Sequence, residues 1–135
     1  MMRAWVVHEL EELSFEDAWP EPVLDPDDQH AVVVDVAAAA PNFADSLMVA
    51  GSYQERPALP FVPGLELAGE VVATNSDLVN AGQAVVGLAK VGAGAWAERA
   101  LCDGRQLTVL PDDVDPAVAA AIHVNAQTAW FALHR

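Results

Sequence analysis

Four polar side chains between positions 42 and 66 have residue types that could form a binding or catalytic site. Asn42 and Asp45 lie three positions apart. Tyr53 is the only tyrosine of the chain, and Glu66 follows a Pro-Gly pair. An amide and a phenol can orient or polarise a carbonyl group, whereas carboxylates can ligate a cation or accept hydrogen bonds. The first question is therefore whether these residues belong to a metal site.

The number and spacing of the cysteine and histidine residues argue against a zinc site. Catalytic zinc binds about three protein ligands from Cys, His or carboxylate and keeps one position for water or substrate. Cys102 is the only cysteine, which also excludes a structural zinc lobe. No C-x-x-C, H-x-x-H or H-E-x-x-H spacing includes the four histidines, which are His8, His30, His123 and His134. We therefore predict that the protein binds no metal ion.

Three motifs occur in an order that resembles a known family. They are Asn42-x-x-Asp45, Gly51-x-Tyr53 and the run Leu59-Pro60-Phe61-x-Pro63-Gly64-x-Glu66-x-x-Gly69. The chain from Arg3 to His134 resembles the medium-chain dehydrogenase/reductase family, in its zinc-independent branch of quinone oxidoreductases, the zeta-crystallin-like enzymes. The zinc-dependent branch has a Cys at the position of Asn42, a His at Leu65 and a third ligand near Val124. Leucine and valine offer no lone pair, so the resemblance also implies that zinc is absent.

The resemblance implies an activity and a set of site residues. A complete enzyme of this kind transfers hydride from NADPH to a small-molecule quinone, enone or similar carbonyl acceptor, and the preference for NADPH rests on the resemblance alone. Asn42 and Tyr53 are implied as catalytic residues that also lie near the nicotinamide. Asn125 and Thr128, on the last helical segment, are implied to lie beside the cofactor.

Each of these residues also has a structural interpretation. Asn42 can cap a helix, with Asp45 facing the exposed amides of its first turn. Tyr53 can pack over a turn with its hydroxyl in water. Asn125 and Thr128 lie three positions apart on one helical face, so they can tie a buried helix to neighbouring carbonyls.

Two further side chains are predicted to be structural. Glu66 is expected to be a buried carboxylate that forms an ion pair with an arginine such as Arg56 or Arg99. Cys102, at the end of a predicted strand, is expected to be a small buried apolar residue.

Short apolar runs between turn-forming residues predict a mainly β protein. The predicted strands cover residues 4–8, 31–38, 65–74, 84–90, 96–102 and 107–110. One helix is predicted to begin at Asn42. A second is predicted from Asp115-Pro116 toward His134, with a break near 123–125; because it is apolar on nearly every face, we expect it to be buried. The resemblance specifies the fold as a GroES-like, partly open β-barrel with a few helices.

The predicted domain organisation is a GroES-like catalytic domain over residues 1–114 and a helical segment over 115–135 that would lead into a cofactor-binding domain. Gly92-x-Gly94 lacks the third glycine of a dinucleotide fingerprint. Gly64 and Gly69 have phosphate-loop spacing without the Lys and Ser or Thr that should follow. Both patterns are interpreted as turns. We therefore expect that the Rossmann domain is absent and that the isolated chain is inactive.

Two classes of function follow from this organisation. The chain is either the substrate-side domain of a reductase or a stand-alone binding or assembly module without catalysis. In both cases the apolar second helix is expected to dock onto a cofactor-binding domain or a partner subunit, and to make the isolated chain a homo-oligomer.

Composition excludes other partners. The net charge is −14, with one lysine and five arginines, which argues against nucleic acid and anionic membranes because phosphate binding needs basic clusters. The first residues lack the features of a signal peptide, and no apolar run reaches the roughly 18 residues of a membrane helix. A soluble, cytoplasmic protein is expected.

Overall fold

The computed structural model describes residues 1–134; Arg135, the last residue of the predicted helical segment, lies outside the described residues. Six strands and two helices follow one another along the chain: β1 (Met2–Val6), β2 (Ser14–Trp19), β3 (Ala31–Ala40), α1 (Phe43–Val49), β4 (Glu66–Thr74), β5 (Ala84–Ala89), β6 (Arg99–Val109) and α2 (Pro116–Leu133). The prediction of a mainly β protein with a few helices is confirmed.

Strands β3, β4, β5 and β6 form a closed antiparallel barrel. Consecutive strands pair with each other, and β3 also pairs with β6, from Ala31 opposite Asp103 to Asp35 opposite Arg99. The expected barrel is therefore present, and it is closed rather than partly open. Closure is possible because β3 is ten residues long and its pairing with β4 contains register shifts, which bend a strand.

Alternating side chains of the long strands fill the barrel. Val32 and Val34 of β3 and Leu67 and Val71 of β4 are fully buried, and Cys102 of β6 packs with them. Successive side chains of a strand point to opposite faces, so Val32 and Val34, two positions apart, lie on the same face and pack in the same core. Burying each of these aliphatic side chains contributes about 1.5 to 3 kcal/mol.

Gly64, in the turn before β4, and Gly69, within β4, require glycine for different structural reasons. Gly64 has φ +100°, a left-handed conformation that favours glycine in the turn before β4. Gly69 lies inside β4, where a Cβ atom would come within 2.0 Å of the backbone oxygen of Asp35 on β3. The interpretation as a turn holds for Gly64 and is wrong for Gly69, which allows two barrel strands to approach each other.

Two strand predictions differ from the structure. Strand β2 was not predicted; it pairs only with β1 in a separate two-stranded sheet. None of its side chains is fully buried, so it has no apolar run to reveal it. The two strands predicted over 96–102 and 107–110 are parts of one strand, β6, which pairs first with β3 and then with β5.

Helix α2 begins where the sequence predicts and continues without a break. The Asp115 carboxylate accepts hydrogen bonds from the N–H groups of Ala117 and Val118, and Pro116 is the first helical residue. The predicted break near 123–125 is absent, since the helix is continuous from Pro116 to Leu133. Within residues 1–134, no helix has the length and apolarity needed to span a membrane.

The prediction that α2 is buried is wrong. Only Ala119 and Ala120 are buried, against Ala68 of β4 and Val86 of β5. The small alanine side chains let this face of the helix lie close to the barrel. The bulky apolar residues lie on the other faces of the helix and are exposed. Between 55% and 79% of the surface of each is exposed; they are Val118, Ile122, Trp130, Phe131 and Leu133.

The close approach at Gly69 predicts the effect of one added methyl group. Gly69→Ala is expected to lower the free energy of unfolding by about 3 kcal/mol, because the Cβ atom overlaps the Asp35 backbone. Gly82→Ala is the control; it meets no atom within 4 Å and carries only the strain of its φ of +86°, about 1 kcal/mol. Urea denaturation measures both. Equal losses in the two variants would contradict a steric role for Gly69.

Candidate active site

Asn42 lies two positions after the end of β3, at the N-cap of α1, where its backbone is extended (φ −114°, ψ 158°). The helix start is stabilised by Asp45, whose Oδ2 accepts the backbone N–H of Asn42 at 2.6 Å. This contact is the carboxylate half of a capping box. The predicted helix start at Asn42 is confirmed.

The side-chain amide of Asn42 points away from the helix and toward the barrel. Its Nδ2 atom donates to the backbone oxygen of Ala40 at 3.2 Å and to Oε2 of Glu66 at 2.9 Å. Helix capping alone therefore does not explain this side chain. An amide nitrogen carries two hydrogens, so both donors of Asn42 are in use and a ligand could bond this side chain only through Oδ1.

Glu66 is the centre of this network. Its residue surface is 1% exposed, and its second oxygen, Oε1, accepts the backbone N–H of Val124 in α2 at 2.6 Å. The predicted ion pair with Arg56 or Arg99 is wrong. Arg99 instead pairs with Glu21 and Asp35, and within residues 1–134 no ion pair involves Glu66. An amide side chain and a peptide N–H take the place of the arginine.

Asp45 is a second buried carboxylate beside Glu66. Its Oδ1 accepts the backbone N–H of Leu65 at 3.0 Å, and its residue surface is 0% exposed. Burial raises the pKa of Asp45 above its ordinary value; backbone hydrogen bonds from Asn42, Leu65 and Gly64 offset part of this rise, and the nearby charge of Glu66 adds to it. The carboxylates are therefore held by N–H groups rather than by cations.

Tyr53 lies four residues after the end of α1. Its backbone N–H donates to the oxygen of Leu47 at 3.1 Å, and its half-buried ring packs against the cluster of Val7, Met48 and Phe61. Packing over a turn is therefore part of its role.

Tyr53 also lines a cavity of about 340 Å³. Leu65, Lys90 and Asp103 line the same cavity. Lys90 forms an ion pair with Asp28, which lowers the pKa of that carboxyl group. Leu65, which lines the cavity, is adjacent in sequence to Glu66, the centre of the hydrogen-bond network.

Asn125 and Thr128 lie on the exposed side of α2. Nδ2 of Asn125 donates to the oxygen of Ala121 one turn earlier at 3.2 Å, so one of its two amide hydrogens is bonded within the helix. Neither residue lines the cavity beside Tyr53. The structure thus brings α2 to Asn42 through Val124 and Glu66, while a contact of Asn125 or Thr128 with a cofactor stays a prediction.

The three positions that hold zinc ligands in the zinc-dependent branch do lie around the two buried carboxylates. Asn42 and Val124 donate to Glu66, and Leu65 donates to Asp45. Among residues 1–134, no three His, Cys, Asp or Glu side chains form a metal-binding group. The prediction of a metal-free protein rests on the side chains, since leucine and valine cannot coordinate a cation.

Sequence reasoning identified Cys102 correctly and missed two contacts. Cys102 is buried in the barrel, and burial raises its pKa to about 12, so it is not a reactive thiol. The contact of Val124 with Glu66 was missed because a backbone N–H has no signature in sequence. Lys90 was missed because only folding brings it to the cavity beside Tyr53.

Comparison with known proteins identifies the family. The profile of the alcohol dehydrogenase GroES-like domain matches residues 28–112. The chain therefore belongs to the alcohol dehydrogenase GroES-like domain family. Within residues 1–134 the sheets are antiparallel, and no Rossmann domain is present.

The relatives that match this chain include quinone oxidoreductases of the medium-chain family. Quinone oxidoreductase-like protein 2 from Bos taurus is 41% identical over 126 residues, which cover 91% of this chain and 34% of the relative. The quinone oxidoreductase from Thermus thermophilus, whose structures include a complex with NADPH, has a TM-score of 0.78 at 37% identity over 98% of this chain and 40% of its own. A probable oxidoreductase from Mycobacterium abscessus has a TM-score of 0.85 at 33% identity, with coverages of 99% and 43%.

The match is confined to one part of these relatives. The chain spans about a third of the length of the curated relative. The resemblance to the quinone oxidoreductase branch is confirmed for this part, together with the GroES-like fold.

The raised pKa of Asp45 predicts a pH dependence of stability. A folded-state pKa above the unfolded value of 3.8 means that the native state binds the proton more tightly. Relative to Asp45→Asn, which does not titrate, the wild-type protein should gain stability as the pH falls from the raised pKa toward that unfolded value. Urea denaturation from about pH 7 to about pH 4 measures this difference.

The control for this titration is Asp103→Asn. Arg105 lowers the pKa of Asp103 to about 2, so the stability difference for this variant should stay nearly constant over most of the same pH range. A difference for Asp45→Asn that is flat, or that grows as the pH rises, would contradict the raised pKa.

Proposed function

We propose that this chain is the substrate-side catalytic domain of a zinc-independent, NADPH-dependent oxidoreductase that reduces quinones, enones or similar carbonyl acceptors. The observation that carries the proposal is the position of Tyr53 and Leu65 on one cavity, with the backbone N–H of Leu65 bonded to the buried carboxylate of Asp45. The names of the relatives from Bos taurus and Thermus thermophilus support a quinone as acceptor.

The proposal divides the chain into a catalytic domain over residues 1–114 and a helical segment over 115–135 that leads into a cofactor-binding domain. Helix α2 supports this division because its bulky residues, such as Trp130 and Phe131, are exposed. The exposed polar groups of Asn125 and Thr128 are available to hydrogen-bond a cofactor beside this helix. Because half of the cleft would belong to that second domain, the isolated chain is inactive in this proposal.

NADPH supplies the hydride when it is bound to the cofactor-binding domain. The Tyr53 hydroxyl donates a hydrogen bond to the acceptor oxygen, where negative charge develops. Asn42 cannot share this task, since both its amide hydrogens are bound to Ala40 and Glu66. It contributes through Oδ1, which accepts a hydrogen bond and so orients the bound cofactor.

The side chains around the cavity support a conjugated acceptor. Leu65 occupies a zinc-ligand position, so no cation at this place stabilises the developing charge. A hydrogen bond is a weaker stabiliser than a divalent cation, which favours acceptors that spread the charge by conjugation. The cavity of about 340 Å³ is at the small end of ligand pockets, which suits a compact molecule.

The rival proposal is a stand-alone binding or assembly module without catalysis. The observation that favours it is the same exposed apolar surface of α2, which a partner subunit could cover in place of a cofactor-binding domain. The two proposals differ in whether activity can be restored by supplying the other half of the cleft.

Reconstitution separates the two proposals. The chain is mixed with a separately made cofactor-binding domain of the Thermus thermophilus relative, and NADPH consumption is followed with a simple quinone. The enzyme proposal expects turnover that needs both components. Reduction no faster than with the cofactor-binding domain alone, although the two parts associate, would favour the assembly module.

Within an active mixture, Tyr53→Phe tests the proposed hydrogen bond. We expect kcat/KM for the quinone to fall by about tenfold to a hundredfold, because the variant keeps the ring and loses the donor. Ser46→Ala is the matched control, since its exposed hydroxyl bonds the oxygen of Phe43 away from the cavity. Equal activities of Tyr53→Phe and Ser46→Ala would show that the Tyr53 hydroxyl takes no part in the reaction.

The exposed surface of α2 predicts self-association of the isolated chain. Trp130 and Phe131 are 61% and 64% exposed, and we expect them to pair with a second copy at about micromolar concentration. Replacing both with Glu should give a monomer in light scattering. Phe15→Glu is the control, because Phe15 is 50% exposed but lies on β2. A wild-type monomer would contradict the proposed contact.

A further inference from the structure

One carboxylate joins the two elements that carry the proposed site. Oε2 of Glu66 lies 2.9 Å from Nδ2 of Asn42, beside α1, and Oε1 lies 2.6 Å from the backbone nitrogen of Val124 in α2. The residue is almost fully buried, with 1% of its surface exposed. Water therefore has little access to replace either contact.

The two contacts require a group that accepts hydrogen bonds on both sides. An ionised carboxylate has two accepting oxygens and no donor, whereas a carboxamide has one accepting oxygen and one donating nitrogen. A carboxamide at position 66 would turn its NH₂ group toward one of two existing donors. Asn42 and Val124 could then not both remain bonded in their present orientations.

The acceptor at position 66 determines which way the Asn42 amide faces. If this amide were turned over, its oxygen would meet the carboxylate of Glu66 and repel it. The present orientation places both N–H groups on acceptors, Ala40 and Glu66. Asn42 therefore presents its oxygen, and not its nitrogen, for any further contact.

The same carboxylate fastens α2 beyond its buried part. Ala119 and Ala120 pack on the barrel near the start of the helix, and the following residues 121 and 122 are exposed. Val124 is then held by Glu66, one position before Asn125. This bond therefore sets where the exposed second half of the helix, including Asn125, lies against the barrel.

We propose that Glu66 is a positioning residue whose single carboxylate fixes both the orientation of the Asn42 amide and the docking of α2 at Val124. A displacement of Asn42 or of α2 at Val124 is then transmitted to the other through Glu66. The link to catalysis rests on the proposed function, because that function gives Asn42 and Asn125 their roles.

Nuclear magnetic resonance of the labelled 135-residue chain tests the linkage without cofactor or substrate. In Glu66→Gln, one of two changes is expected. Either hydrogen exchange of the Val124 amide becomes at least about tenfold faster, or the side-chain amide of Asn42 turns over and its NH₂ resonances shift. If both signals stay as in the wild-type chain, Glu66 positions neither group and the proposal is overturned.

A second substitution restores the pairing in reverse. In Glu66→Gln with Asn42→Asp, the new NH₂ group faces a carboxylate, and the remaining oxygen can accept the Val124 N–H. Exchange of the Val124 amide should lie within about twofold of wild type. Fast exchange in a folded double variant would contradict the linkage.

Asp45→Asn is the matched control. It alters a buried carboxylate that contacts Asn42 and Leu65 but not α2. It should speed exchange at Leu65 and leave the Val124 amide unchanged. Faster exchange at Val124 in this control would show a general loosening and overturn the specific role of Glu66.

Kinetics of the reconstituted mixture separate this proposal from the proposed function. Glu66→Gln should lower kcat at least about tenfold with little change in the KM of the quinone, because misplacement acts on the reacting geometry. An inactive wild-type mixture with the expected resonance changes would reject the function and keep the linkage. An active wild-type mixture whose kcat is unchanged in Glu66→Gln would keep the proposed function and reject the role of Glu66 as a positioning residue for catalysis.

Discussion

The arrangement around the site depends on one constraint: a carboxylate taken out of water needs donors on each of its oxygens. Glu66 meets this need with the Asn42 side chain on one side and the Val124 peptide on the other. Neither donor comes from the strand that carries Glu66. Satisfying one charge thus joins β4 to the start of α1 and to α2, and the barrel, the loop and the terminal helix share a single junction.

Much of the fold could be predicted because it follows from local patterns. Short apolar runs between turn-forming residues identified the barrel strands, Asn42 with Asp45 marked the start of α1, and Asp115-Pro116 marked the start of α2. These signals lie within a few residues of the structure they specify. The absence of zinc-ligand side chains at Leu65 and Val124 was equally direct, since coordination depends on residue type.

The features that could not be predicted depend on contacts between distant residues. Glu66 is bonded by a backbone N–H that any residue at position 124 except proline would supply, so no sequence pattern marks the contact. Arg99 was a reasonable partner by charge, but two other carboxylates hold it. The exposure of Trp130 was mispredicted because the hydrophobicity of a side chain indicates that its burial is favourable. It does not indicate whether the same chain or another molecule buries it.

Barrel closure has a consequence for the order in which the chain folds. The ladder from Ala31 opposite Asp103 to Asp35 opposite Arg99 joins the first and last barrel strands, so a long intervening segment must be ordered before it gains this pairing. Neighbouring strands such as β4 and β5 close over much shorter loops. Until β6 is in place, β3 has an unpaired edge, and such edges are prone to intermolecular pairing. Closing the barrel thus removes an aggregation hazard in the same step that completes its core.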